Sequence, residues 1–237
     1  MEDSKVIIAL DFKDQEATKA FLDKFDEPLF VKVGMELFYG EGPDIIKMIK
    51  ARGHKIFLDL KLHDIPHTVK QAMKNLARLD CDIVNVHASG SIAMMKAAVE
   101  GLEEGKVGDK RPLCIAVTCL TSLDQDVLDH ELGIHEPLED VVVKWANNAK
   151  MAGLDGVVCS PLESAPIHEK VGKDFITVTP GIRLAGNNVN DQKRVTTPYK
   201  ARSLTSNYIV VGRSITAADD PAAAYHEVSR QFDKGEE

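Results

Sequence analysis

Eight short apolar runs recur at regular intervals along the 237-residue chain: Val6 to Leu10, Leu29 to Val33, Lys55 to Leu60, Asp82 to Val86, Leu113 to Val117, Gly156 to Cys159, Phe175 to Val178 and Tyr208 to Val211. Most are apolar throughout rather than alternating, the pattern of strands covered by helices on one face and by packed side chains on the other. Between most of them apolar residues return at helical spacing, which predicts helices over Gln15 to Phe25, Gly42 to Ala51, Thr68 to Leu79, Ile92 to Leu102, Leu138 to Met151 and Pro221 to Phe232. Strands that alternate with helices predict a parallel sheet with helical crossovers. Eight such units in a chain of this length match a single-domain α/β fold, a closed (β/α)₈ TIM barrel spanning residues 1–237. The alternative is an open doubly wound sheet, and the lack of G-x-G-x-x-G after the first run counts against it. One stretch, Leu184 to Ser206, is a long excursion of the kind that is often functional.

Composition narrows the function classes. A formal charge of −8 offers no basic field for wrapping nucleic acid, although a few local cations could still hold a small anion. No apolar run approaches the roughly 20 residues needed to span a bilayer, and the acidic Met1-Glu2-Asp3-Ser4-Lys5 lacks the basic and apolar regions of a secretory signal. A cytoplasmic protein is therefore expected. Cys81, Cys114, Cys119 and Cys159 show no C-x-x-C spacing, sit mostly in apolar runs and are expected to be buried thiols.

Chemistry concentrates at Asp59-Leu60-Lys61-Leu62-His63-Asp64, where three charged groups close an otherwise apolar strand. Side chains alternate across a strand, so Asp59 and Lys61 project to one side and Leu58 and Leu60 to the other. A surface ion pair would explain the motif taken alone. Lys32 changes the balance, because Phe30-Val31-Lys32-Val33 is a core strand with a cation in its middle. A buried lysine is costly unless a carboxylate pairs with it, and Asp59 on the neighbouring strand is the expected partner. Lys32, Asp59, Lys61 and Asp64 would then form an alternating row, either a structural network or a catalytic one. In a barrel of this kind the strand ends gather around one mouth. The other polar residues there are Asp11, His87, Thr118, Thr121, Ser122, Ser160, Thr179, Arg183 and Arg213.

A second feature lies beyond the last two strands. Thr179-Pro180-Gly181-Ile182-Arg183 and Val211-Gly212-Arg213-Ser214 stand where such barrels frequently bind phosphate. The glycines admit backbone N–H groups to an anion, the arginines add bidentate donors, and a helix after Arg213 would offer its N-terminus. His63 and His67 sit four apart, but Pro66 between them argues against a metal pair. His87 reads as a hydrogen-bonded barrel histidine, Lys193-Arg194 as a solvated loop feature, and Trp145 with Val141, Val142 and Ala149 as core packing.

Taken together, Ala9-Leu10-Asp11, Val31-Lys32-Val33-Gly34, Asp59 to Pro66, Thr179 to Arg183, Asp191-Gln192-Lys193-Arg194 and Val211 to Ile215 closely resemble the bacterial-type orotidine 5′-phosphate decarboxylase family, from about residue 5 to 230. His67 departs from it, since bacterial relatives often carry asparagine there. The resemblance implies a dimeric barrel that turns orotidine 5′-monophosphate into uridine 5′-monophosphate and CO₂ with no metal or organic cofactor. It implies Lys61 as proton donor to C6, with Lys32, Asp59 and Asp64 completing the charged array. Asp64 and Thr68 would reach the partner subunit's site, Asp11 and Lys32 would hold the ribose hydroxyls, and Thr121 and Ser122 would contact the pyrimidine. Pro180, Arg183, Gln192, Gly212 and Arg213 would belong to the phosphate end, with the loop carrying Gln192 closing over the ligand. Related 3-keto-gulonate-phosphate decarboxylases and hexulose-phosphate synthases, which use magnesium, share Asp-x-Lys-x-x-Asp but resemble an acidic second strand, and Lys32 argues against them.

Overall fold

Every apolar run forms a strand, and all eight close into one parallel barrel in chain order: β1 (Val6–Ala9), β2 (Phe30–Gly34), β3 (Lys55–Leu62), β4 (Ile83–His87), β5 (Leu113–Val117), β6 (Gly156–Val158), β7 (Ile176–Thr179) and β8 (Tyr208–Val211). The structure is a computed structural model that describes residues 4–184 and 195–236. β8 pairs with β1, so no strand is left as an edge. Helices connect the strands and cover them, giving a single-domain (β/α)₈ barrel.

The two faces of each strand go to different cores. Ile7, Phe30, Phe57, Ile83, Ile115, Val178 and Val210 point to the axis and fill the barrel. Ile8, Val31, Val33, Leu58, Leu60, Val84 and Val86 point outward against the helices. This two-residue alternation decides which strand positions can reach the mouth. Trp145 packs against the outer core on the helix Leu138–Met151, whose Val141, Val142 and Ala149 are buried.

Two differences from the sequence expectation concern elements near the site. β3 runs two residues further than expected, through Lys61 to Leu62. The helix Pro161–Lys170 was not expected, since Pro161 and Pro166 punctuate it. Pro161 occupies the first turn, where no N–H is needed, and a capping box of Ser160 and Glu163 starts the helix. The helices Pro66–Ala77 and Ile92–Gly105 pack unusually closely, because a Cβ on Gly101 or Gly105 would lie 2.2 or 2.1 Å from the Lys70 or Lys74 carbonyl oxygen. That contact ties down the helix that follows β3.

Candidate active site

The C-terminal ends of the strands open onto a cavity of about 500 Å³. Its charged wall follows from the alternation described above. Phe30 and Phe57 face the axis, so Lys32, two residues on, and Asp59 and Lys61, two and four residues on, face it as well. Lys32 Nζ lies 3.2 Å from Asp11 Oδ1 and 3.5 Å from Asp59 Oδ2, and Lys61 Nζ lies 2.8 Å from Asp59 Oδ1. The expected Lys32 to Asp59 pairing is present. The observed row is Asp11, Lys32, Asp59, Lys61: Asp11 extends it at the Lys32 end, and Asp64, expected at the Lys61 end, stands outside it in the single chain.

Exposure is graded along this row. The Lys32 and Asp59 side chains are 12% and 11% exposed, Lys61 is 24% exposed, and Asp11 opens to solvent at 63%. Burial pushes the Asp59 carboxyl up, but Lys32, Lys61 and the hydrogen bonds from Lys61 and Asn85 outweigh it and hold the group below its ordinary value. Gly34 leaves room for the row, since a Cβ there would come within 3.1 Å of Lys32 Nζ. Lys61 adopts φ 51°, the left-handed region, which costs a non-glycine residue about 1–3 kcal/mol. Strain of this kind persists only where surrounding contacts impose it.

Asn85 is the site residue that sequence reasoning missed. It is 1% exposed, donates from Nδ2 to Asp59 Oδ1 at 2.7 Å, and accepts at Oδ1 from the Lys61 backbone N–H at 2.8 Å. The signal was available, because Asn85 interrupts Ile83-Val84-Asn85-Val86 as Lys32 interrupts its own strand. His87, on the same face of β4, meets the ring of His63 at 5.6 Å between centroids. Burial, His63 and Lys61 push the His87 pKa down against an opposing pull from Asp59.

Opposite the charged row, the cavity is lined by Pro180, Gly181 and Arg183 after β7 and by Gly212 and Arg213 after β8. Gly181 has φ 84°, a conformation that favours glycine. Arg183 is buried and its Nη1 donates to the Ile182 carbonyl at 2.8 Å, while Arg213 is exposed. The helix expected after Arg213 is a single turn, Arg213–Thr216, too short to supply much of a macrodipole.

The remaining expected residues divide. Thr121 lines the cavity, and Ser122 is exposed and lies outside its lining. Asp64 and Thr68 line a separate, shallower recess with Tyr39 and His63, and Lys61 borders both spaces. Thr118, Ser160 and Thr179 are structural: Thr118 Oγ1 donates to the Val158 carbonyl, Ser160 caps a helix, and Thr179 Oγ1 donates to Ser206 Oγ. Gln192, Lys193 and Arg194 lie outside the described residues. Pro66 begins the helix Pro66–Ala77, so His63 precedes that helix and His67 lies in its first turn. Among the described residues no group of three or more His, Cys, Asp or Glu side chains is arranged to hold a metal ion. All four cysteines are buried, and burial pushes the Cys81 and Cys114 thiols up to about 12. Cys119 and Cys159 also line the cavity.

Comparison with known proteins gives a consistent picture. The family model described as "Orotidine 5'-phosphate decarboxylase / HUMPS family" matches residues 4–228. Curated orotidine 5′-phosphate decarboxylases of Bacillus mycoides (strain KBAB4) and Bacillus cereus (strain B4264) are each 59% identical over 230 residues, 96% of this chain and 97% of theirs. The solved orotidine 5′-phosphate decarboxylase of Lactobacillus acidophilus superposes with a TM-score of 0.88 at 46% identity, covering 97% of this chain and 99% of that one. An uncharacterized conserved protein from Geobacillus kaustophilus superposes with a TM-score of 0.87 at 51% identity, covering 96% and 99%.

Proposed function

The chain belongs to the orotidine 5′-phosphate decarboxylase / HUMPS family, and from that premise we propose that it converts orotidine 5′-monophosphate to uridine 5′-monophosphate and CO₂ without a metal ion, with Lys61 as proton donor to C6. It is a decarboxylase, a carbon–carbon lyase of pyrimidine biosynthesis. The C6–carboxylate bond breaks, CO₂ departs, and its bonding electron pair remains on C6, where the ring delocalises it poorly. Catalysis then requires positive charge fixed beside C6 before the bond breaks, because only interactions stronger in the transition state than in the ground state accelerate the step. The Lys61 ammonium meets that need and then transfers its proton to C6. The observation that carries this reading is the position of Lys61 Nζ, 2.8 Å from buried Asp59 at the floor of the cavity.

The other groups take supporting roles. Asp59 anchors both lysines and faces the departing carboxylate, so loss of CO₂ relieves a like-charge contact. Asp11 and Lys32 hold the ribose hydroxyls, Thr121 and Ser122 contact the pyrimidine, and Pro180, Arg183, Gln192, Gly212 and Arg213 bind the phosphate. Phosphate binding is remote from C6, so its energy goes into holding the pyrimidine against Lys61. The magnesium-dependent reading of the family is disfavoured by Lys32, whose ammonium already stands between the Asp11 and Asp59 carboxylates.

The working unit is a cytoplasmic homodimer in which Asp64 and Thr68 of each subunit enter the site of the other. Asp64 is exposed in the single chain, and the large apolar side chains of Tyr39 and Ile65 nearby are 68% and 66% exposed, as a subunit contact requires. The test of the reaction is the loss of orotate absorbance on incubation with orotidine 5′-monophosphate in chelator. The native chain turns over and Lys61→Ala loses about 10²- to 10⁴-fold in kcat. An inactive native chain would sink the assignment, and an unimpaired variant would sink the proton-donor role.

A further inference from the structure

We infer that Asn85 is a positioning residue for the decarboxylation, a buried amide that places the Lys61 ammonium by holding its backbone and its ion-pair partner together. The register of β3 against β4 is irregular beside Lys61. Leu58 pairs with Val84 and Leu62 pairs with Val86, so Asp59, Leu60 and Lys61 on β3 stand opposite Asn85 alone on β4. Extra residues on one strand interrupt the ladder and leave backbone groups to be satisfied otherwise. The Lys61 N–H is satisfied by the Asn85 side chain, at 2.8 Å.

The other end of the same amide donates to Asp59 Oδ1 at 2.7 Å, the oxygen that also pairs with Lys61 Nζ at 2.8 Å. Asn85 therefore closes a ring through the Lys61 backbone, the Lys61 ammonium and the Asp59 carboxylate. Only an amide fits this place. Oδ1 must accept from an N–H and Nδ2 must donate to a carboxylate, so ionised aspartate offers no donor and leucine offers neither group. The ring also explains how Lys61 keeps φ 51°. Released from Asn85, its backbone can relax toward the extended region, which swings the side chain away from Asp59. A displacement of about 1 Å at a reacting group costs about 10²-fold in rate.

This inference rests on Lys61 as the proton donor, and the experiment separates the two. Asn85→Asp and Asn85→Leu are assayed for kcat and KM with orotidine 5′-monophosphate, for uridine 5′-monophosphate affinity, and for the pH profile of kcat/KM, each also in a Lys61→Ala background. Asp59 is faced by Lys32 from β2, by Lys61 on its own strand, and by Asn85 and His87 from β4. A carboxylate at position 85 puts a like charge against it and moves the acid limb to higher pH. The expected result is a fall of about 10²-fold in kcat for both variants, with KM and product affinity within about threefold of the parent because the phosphate end is untouched. No further loss is expected in the Lys61→Ala background, since residues acting as one unit are non-additive.

Variants that bind product normally and turn over within about threefold of the parent would overturn the inference, as would an additive loss in the Lys61→Ala background. Should Asn85→Leu fail to fold, Asn85→Asp decides alone, because it keeps the volume of the side chain. Loss of product affinity in Asn85→Asp would overturn the inference in favour of a scaffold role. An inactive parent chain refutes the reaction itself, which is a separate outcome.

Discussion

The two walls of the cavity are built in opposite ways. The wall from β1 to β4 is made of side chains, with Asp11, Lys32, Asp59, Lys61 and Asn85 locked to one another at 2.7 to 3.5 Å and all but Asp11 largely withdrawn from water. The wall beyond β7 and β8 is made of turn backbone at Gly181 and Gly212, with one buried and one exposed arginine. Under the proposed reaction the difference follows from what each wall would do. Charge that appears only in the transition state is stabilised best by dipoles and ions that need no rearrangement, and a dry, cross-linked row provides that. A phosphate is charged before, during and after the reaction, so its site needs access and donors more than fixed geometry.

The largest effect that could break this contrast concerns Asp64, which the proposed reaction assigns to the first wall but which lies outside the cavity in the single chain. Lys61→Ala and Asp64→Ala are each expected to be nearly inactive alone. Mixed under conditions that exchange subunits, they recover about a quarter of the native rate, because each hybrid dimer carries one intact site of two. No recovery would place Asp64 in its own subunit's site or in none.

A smaller effect separates the walls kinetically. Arg213→Ala is expected to lose about 10- to 100-fold in kcat/KM, the worth of one charge-assisted hydrogen bond to phosphate, mostly through KM. Lys61→Ala loses kcat. If the substrate lacking its phosphate suffers equally from Arg213→Ala, the arginine does not act as an anchor.

The smallest effect is on stability against pH, and only the first wall should show it. Asp59 is held below its ordinary value, so its contribution is complete above about pH 4 and is lost as pH falls through its folded value. His87 is pushed below its ordinary value, so its contribution is complete above about pH 6.5 and declines as pH falls through its own folded value. Thermal unfolding is expected to be flat near neutrality, to weaken slightly below pH 6.5, where buried His54 adds to His87, and to weaken again below pH 4, with the second step smaller in Asp59→Asn but not abolished, since Asp14, Glu103, Glu104 and Glu227 are also held below their ordinary values. The arginines of the second wall stay charged throughout and add no step. An acid step of equal size in both proteins would remove Asp59 as a source of it.

The barrel is legible in the residue pattern, because the property that makes a strand is local: apolar residues at neighbouring positions, repeated eight times between helical stretches. The sequence by itself also determined that Lys32 must face Asp59, because a cation in a core strand needs a partner and the adjacent strand offered one. Helix Pro161–Lys170 is not legible in the pattern because two prolines mask it, although a capping box starts it. Tertiary structure alone decided that Asp11 completes the row, that Asp64 stands apart from it, and that three residues of β3 face Asn85. Those facts depend on strand register and on how the closed barrel turns each strand end toward its axis. Register is set by pairing between distant segments, and no local pattern of polar and apolar residues records a slip of that pairing.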